Sequence, residues 1–254
     1  MHVEPWVLVA LGATAFVAAA VDAVVGGGGL INLPALLLTG MPVSLALGTN
    51  KLSGIAGTAT ATATFAAARQ IRWPIVTASA LAAFAGALLG ARTVLLLDPK
   101  LLRVIVSALL LVVSAVVALR PQLGARFTGA VVQRSVWRSG AIGLATGYYD
   151  GFFGPGAGVF MIFLFVAWLG VDFLAASGLA KATNFASNLG AIIVFALAGT
   201  IDYQIGVVMA VCAVAGSFTG SRLAIVRGAV FVRFVFLAVA WMVAARLLWQ
   251  ALHR

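Results

Sequence analysis

Asp22 and Asp150 each stand four residues ahead of a glycine cluster, in the runs Asp22 to Pro34 (DAVVGGGGLINLP) and Asp150 to Gly158 (DGFFGPGAG). Glycine weakens a helix, so such clusters inside apolar sequence mark places where the backbone unwinds or approaches something closely. An unwound turn at membrane depth leaves backbone N–H groups that lipid cannot satisfy and an anion can. The candidate binding positions are Gly26, Gly27, Gly28 and Gly29 in the first run, Asn32 just beyond it, and Gly154, Gly156 and Gly158 in the second. The short apolar segments that follow would aim positive helix N-termini at the same place. The competing reading is that small residues simply let helices pack closely.

Thr49, Asn50, Lys51 and Ser53 form a second polar group, matched by Lys181, Thr183, Asn184, Ser187 and Asn188 further on. Hydroxyls and amides donate hydrogen bonds to an oxyanion without adding charge that must be buried. Lys51 follows its Thr-Asn pair, whereas Lys181 precedes the other pair by two residues. An ionisable group at this depth is a functional candidate, with snorkelling to the surface as the alternative. Asp22 and Asp150 would repel an anion. Three roles are open to them: carrying protons, pairing with Lys51 or Lys181, or accepting hydrogen bonds from unwound backbone.

The elements that must hold these residues are membrane helices. Hydrophobic residues make up 63% of the 254-residue chain and charged residues 9%, against about a quarter charged in soluble domains. Apolar stretches of helix-spanning length recur without the alternation of barrel strands. The net charge of +10 comes from Arg residues scattered between apolar spans, a pattern of membrane orientation rather than nucleic-acid binding. Cys212 is the single cysteine and the two histidines, His2 and His253, are terminal. That leaves no disulfide framework, no metal cluster and no nucleophile–base pairing, so the expectation is no enzyme, no cofactor and no metal.

The predicted segments are Pro5 to Val25, a short Leu30 to Gly40, Ser44 to Ala68, Pro74 to Leu97 and Leu101 to Leu119. After a basic connection from Arg120 to Arg138 come Ser139 to Phe153, a short Val159 to Leu169, Phe173 to Ala198, Tyr203 to Val226 and Val230 to Leu248. The order repeats, and so do the motifs. Asp-x3-Gly-x-Gly, Thr-Asn-x2-Ser, Gly-x3-Gly-x-Arg (Gly86, Gly90, Arg92 and Gly216, Gly220, Arg222) and the pair Arg103 and Arg233 recur in the same order at offsets of 128 to 134 residues. The chain therefore divides into a first repeat (1–119), a linker (120–138) and a second repeat (139–254). The predicted fold is an all-α polytopic membrane protein with about eight long transmembrane helices and two short broken or re-entrant segments.

Five segments per half would invert the second half relative to the first. Arg69, Arg72, Arg120, Arg126, Arg134, Arg138, Arg222, Arg227 and Arg233 then gather on the inside, with mainly Lys100, Arg103 and Arg254 outside. Re-entrant short segments would give parallel halves and a weaker basic bias, so the positive-inside rule favours inverted repeats with both termini outside. The Gly-x3-Gly pairs read as helix packing, and Trp73, Trp137, Trp168, Trp241 and Trp249 as interfacial anchors near segment ends.

The duplicated membrane half, the early Asp-x3-Gly-Gly-Gly-Gly with Pro34 following, and Gly48-Thr49-Asn50-Lys51 resemble the sulfite exporter TauE/SafE family of bacterial membrane permeases. The resemblance covers nearly the whole chain. It implies secondary transport of small anions such as sulfite, sulfoacetate or other organosulfonates, from a multi-pass position in the bacterial cytoplasmic (inner) membrane, with the bilayer and a small anion as partners. No Walker loop is present. The second half departs from the first at Pro155, Ala157 and Phe185, which points to an asymmetric site. An anion channel and a non-transporting structural subunit are the alternatives.

Overall fold

The computed structural model describes residues 4–102, 104–106, 108–109 and 136–252, and within the last helix it leaves the side chains of 229, 233 and 235–252 undescribed. Most of the segment expected at Leu101 to Leu119, Arg103, the linker through residue 135, the side chains of Arg233, Trp241 and Trp249, and both histidines lie outside these described residues.

The helices follow from local signals. Helix α1 (Pro5–Val25) opens with proline in its first turn, where no N–H is needed, and stops at Gly26 in the left-handed region (φ 83°). Helix α2 (Gly29–Leu38) is short and carries Pro34 inside it. Helix α3 (Val43–Ala67) starts after Pro42, and the chain turns at Arg69, a non-glycine residue at φ 58°. Helix α4 (Trp73–Leu95) again begins with proline in the first turn. The second half runs α5 (Val136–Phe152), α6 (Ala157–Leu169), α7 (Phe173–Leu197) and α8 (Tyr203–Leu252). Asp172 caps α7 by accepting from the Ala175 N–H at 2.9 Å, and Asp202 accepts from the Ile205 N–H at 3.0 Å. The expected break between Val226 and Val230 is a single kink at Gly228 (φ 74°, ψ −172°).

Four helical stretches are long and apolar enough to cross a bilayer among the described residues: Pro5–Val25, Trp73–Leu95, Phe173–Leu197 and Tyr203–Gly228. This is fewer than the expected eight or so. Helix α3 has the length, 25 residues, but its polar residues lower its hydropathy, and α5 has only 17 residues. The two short segments are present as α2 and α6.

Packing is exchanged between the halves. Helix α4 lies along α5 and α8 lies along α1, while α4 also meets α7, α8 meets α3, and α3 meets α7. Helix α4 therefore packs on the first and third helices of the second half, and α8 on the first and third of the first half. The Gly-x3-Gly pairs make this possible. A Cβ at Gly86 or Gly90 would overlap the carbonyl oxygens of Leu144 and Tyr148, and one at Gly216 or Gly220 those of Phe16 and Ala20. Helices α1 and α5, which carry the two aspartates, are thus each held at backbone contact by the opposite half. Trp73, Trp137 and Trp168 are exposed at or near helix ends.

Candidate functional site: crossed ion pairs around a central cavity

The carboxylate helices both end in glycine turns, and those turns touch. At the end of α1 the Gly26 N–H donates to the Asp22 carbonyl at 2.8 Å and the Gly28 N–H donates to Asp22 Oδ1 at 3.1 Å. Asp22 therefore caps the broken turn that follows its own helix. In the second half the turn passes through Gly154 (φ 96°) and Gly156 (φ 82°) and is tied down by the Tyr149 hydroxyl, which donates to the Pro155 carbonyl at 2.6 Å. A Cβ at Gly26 would overlap the backbone of Gly158, and one at Gly158 would overlap Gly26. Close backbone approach is thus part of what the glycines do. The amides of Gly26, Gly28 and Gly154 are moreover already bonded within the protein, the last to the Tyr149 carbonyl.

The four deep charges form two ion pairs, each joining one half to the other. Lys51 Nζ lies 2.8 Å from Asp150 Oδ2, and Lys181 Nζ lies 2.9 Å from Asp22 Oδ2. All four side chains are withdrawn from solvent, at 3% and 4% exposure for the first pair and 0% and 20% for the second. Neither lysine snorkels. An isolated charge at such depth would be prohibitive, and pairing with a hydrogen-bonded counter-ion is how proteins tolerate it. Asp150 Oδ2 also accepts from the Ser187 hydroxyl at 2.5 Å. Ser187 lies 3.0 Å from the Asn184 carbonyl as well, and Asn188 Nδ2 donates to Asn184 Oδ1 at 3.2 Å.

Between the glycine turns and helices α3 and α7 lies a cavity of about 50 Å³. Of the residues singled out in sequence, its wall contains Asp22, Gly26, Gly28, Gly29, Asn32, Asn50, Lys51, Ser53, Asp150, Gly154, Gly158, Asn184 and Asn188. The side-chain oxygen of Asn32 is buried with no hydrogen-bond partner. Buried polar atoms are nearly always satisfied, and this one is an acceptor, so what it lacks is a donor such as a water in the cavity.

Other candidates fall outside this wall. Gly27 and Gly156 are absent from it, and Lys181 reaches the site only through Asp22. Thr49 accepts from the Asp202 N–H at 2.9 Å, bracing α3 against the turn before α8, and Thr183 bonds Ser79 at 2.8 Å, joining α7 to α4. The repeated threonines are therefore helix braces. Ser187 acts through Asp150 rather than on the cavity. The cavity adds Ala18, Ala19, Gly54, Gly57, Thr58 and Ala213. Thr58 stands seven residues after Lys51 on the same helical face, the spacing that could have flagged it.

Buried, paired charges around a polar cavity in an apolar helical bundle fit the class of membrane transporters. The chain belongs to the sulfite exporter TauE/SafE family, whose model matches residues 11–247. It is 35% identical over 239 residues to probable membrane transporter protein ORF9 of Sinorhizobium, covering 94% of this chain and 91% of that protein. It is 32% identical over 235 residues to a probable membrane transporter protein of Haemophilus influenzae, covering 92% of each. To the probable membrane transporter protein YfcA of Escherichia coli K12 it is 32% identical over 252 residues, 98% of this chain and 92% of that one. No solved structure matches.

Proposed function

We propose that the protein is a secondary transporter of small anions in the bacterial inner membrane, working by alternating access at the cavity between its two halves, with sulfite-sized oxyanions as substrate. The observation that carries this reading is the cavity itself, where the Lys51 ammonium and the amides of Asn32, Asn50 and Asn184 meet between two broken helices. Such donors suit an oxyanion. Size favours the compact end of the substrate class: a cavity that binds benzene measures about 150 Å³, and this one is about 50 Å³. Sulfite fits that scale better than sulfoacetate or taurine.

The crossed pairs support movement of one half against the other. Each pair spans the boundary between repeats, so rocking the halves can loosen one pair while the other holds. In this scheme the repeats are inverted, the arrangement that the basic residues favour, and the carboxylates couple transport to protons or brace the turns. The test is a thermal-shift and flux screen of the purified protein against sulfite, sulfate, thiosulfate, sulfoacetate and taurine at two pH values. Stabilisation and saturable flux with sulfite, and weaker effects with the two larger sulfonates, are expected; a response to none of the five would sink the anion reading.

A further inference from the structure

We propose that the Lys51–Asp150 pair is the one that opens to admit the anion, and that a proton taken up by Asp150 replaces Lys51 as its partner, making transport electroneutral. This rests on the anion-transport reading above. The two pairs are not equivalent. Lys51 lines the cavity, whereas Lys181 is fully buried and absent from the wall. Asp22 is fixed twice, by Lys181 and by the Gly28 N–H of its own turn. Asp150 is held besides Lys51 by the Ser187 hydroxyl, which has a second acceptor 3.0 Å away in the Asn184 carbonyl and can turn to it. Gly154 clears the space beside Lys51, since a Cβ there would sit 3.3 Å from Nζ.

Charge balance then fixes the stoichiometry. Asp22, Asp150, Lys51 and Lys181 sum to zero. Of the elements packed on α5, α7 contributes Lys181, α6 has no titratable residue, and the single charged residue of α4, Arg92, is exposed, while Lys51 reaches Asp150 from α3. A monoanion that took Lys51 would leave Asp150 as an unpaired carboxylate among buried groups, a state that proteins avoid by neutralisation. A proton delivered from water to Asp150 Oδ2 restores neutrality, with Lys51 remaining an ammonium throughout. A dianion would need a second proton, and Asp22, on the same wall, is the carboxylate available for it.

The experiment uses the full chain in proteoliposomes containing a pH-sensitive dye, with sulfite added outside and the membrane potential set by potassium and valinomycin. Uptake should acidify the lumen without preloaded anion. It should change less than about twofold for a potential step of about 59 mV, which would shift the accumulation of an unaccompanied monoanion tenfold. In Asp150→Asn the site carries an extra positive charge, so sulfite should bind without a proton and uptake should acquire that tenfold dependence. Wild-type uptake that follows the potential, uptake that needs anion inside, or an electroneutral Asp150→Asn would each overturn the proposal. If the variant fails to fold, the wild-type potential test decides alone. Sulfite that is bound but moved electrogenically removes only the coupling, whereas failure to bind any of the five anions removes the transport reading itself.

Discussion

The two halves build the same broken helix with different partners. In the first, Asp22 takes the Gly28 N–H at 3.1 Å and a lysine with no exposure; in the second, Asp150 takes a serine hydroxyl at 2.5 Å and a lysine on the cavity wall. The lysines occupy different registers of the repeat, since at the 134-residue offset Lys181 matches Leu47 and Lys51 matches Phe185. One helical turn of displacement places one ammonium against the cavity and the other away from it. The backbone break occurs twice, but one carboxylate is held by its own turn and a fully buried lysine, while the other accepts from a serine hydroxyl that has a second acceptor in a carbonyl.

The largest effect expected from this asymmetry is at Asp22. Asp22→Asn strands Lys181 in full burial and should cost about 3–5 kcal/mol of stability, measured by unfolding in detergent. Asp150→Asn strands Lys51 beside a cavity where water can reach it, and should cost about 1–3 kcal/mol. Equal losses would break the comparison. The two equivalent serines sharpen it. Ser187→Ala removes a hydrogen bond to a carboxylate, worth about 1.5–3 kcal/mol, whereas Ser53→Ala removes a bond to a neutral carbonyl, worth about 0.5–1.5 kcal/mol. The latter bond, to Met209, is 3.4 Å long.

Smaller still is Asn32→Ala, whose lost oxygen has no partner. Stability should change by less than about 1 kcal/mol while sulfite binding weakens about tenfold, a loss of about 1.4 kcal/mol; a large stability loss would instead make Asn32 structural. The orientation of the halves is tested without perturbing the fold. Single cysteines at Gln70→Cys and at the exposed Gln204→Cys lie in or beside equivalent turns, and impermeant labelling should reach them from opposite sides of the membrane. Labelling of both from one side would make the repeats parallel.

Much of the architecture was legible beforehand because bilayer physics is strict. Apolar length, proline at helix starts and glycine at helix stops placed α1 at Pro5–Val25 and α7 within a residue of its C-terminal end. The site was legible at the level of its polar residues, since each polar group within an apolar run stands out. Their roles were less so. Thr49 and Thr183 carry the same repeated signature as Asn50 and Asn184, yet the threonines brace helices while the asparagines line the cavity. Thr58 shares a helical face with Lys51, seven residues away, but in a long run of Ala and Thr that spacing stands out little.

The four glycines after Asp22 show the limit most clearly. By itself the sequence determined that a helix must break there, and that the break occurs twice, because glycine's backbone freedom and the cost of an unpaired charge in lipid are local properties. Only the tertiary structure decided that Gly26 meets Gly158, that Asp22 caps its own turn, and that each lysine crosses to the opposite aspartate. The Asp22 cap is local, but the other contacts join residues 99 to 159 positions apart, and which partner a buried charge takes depends on how the two halves dock.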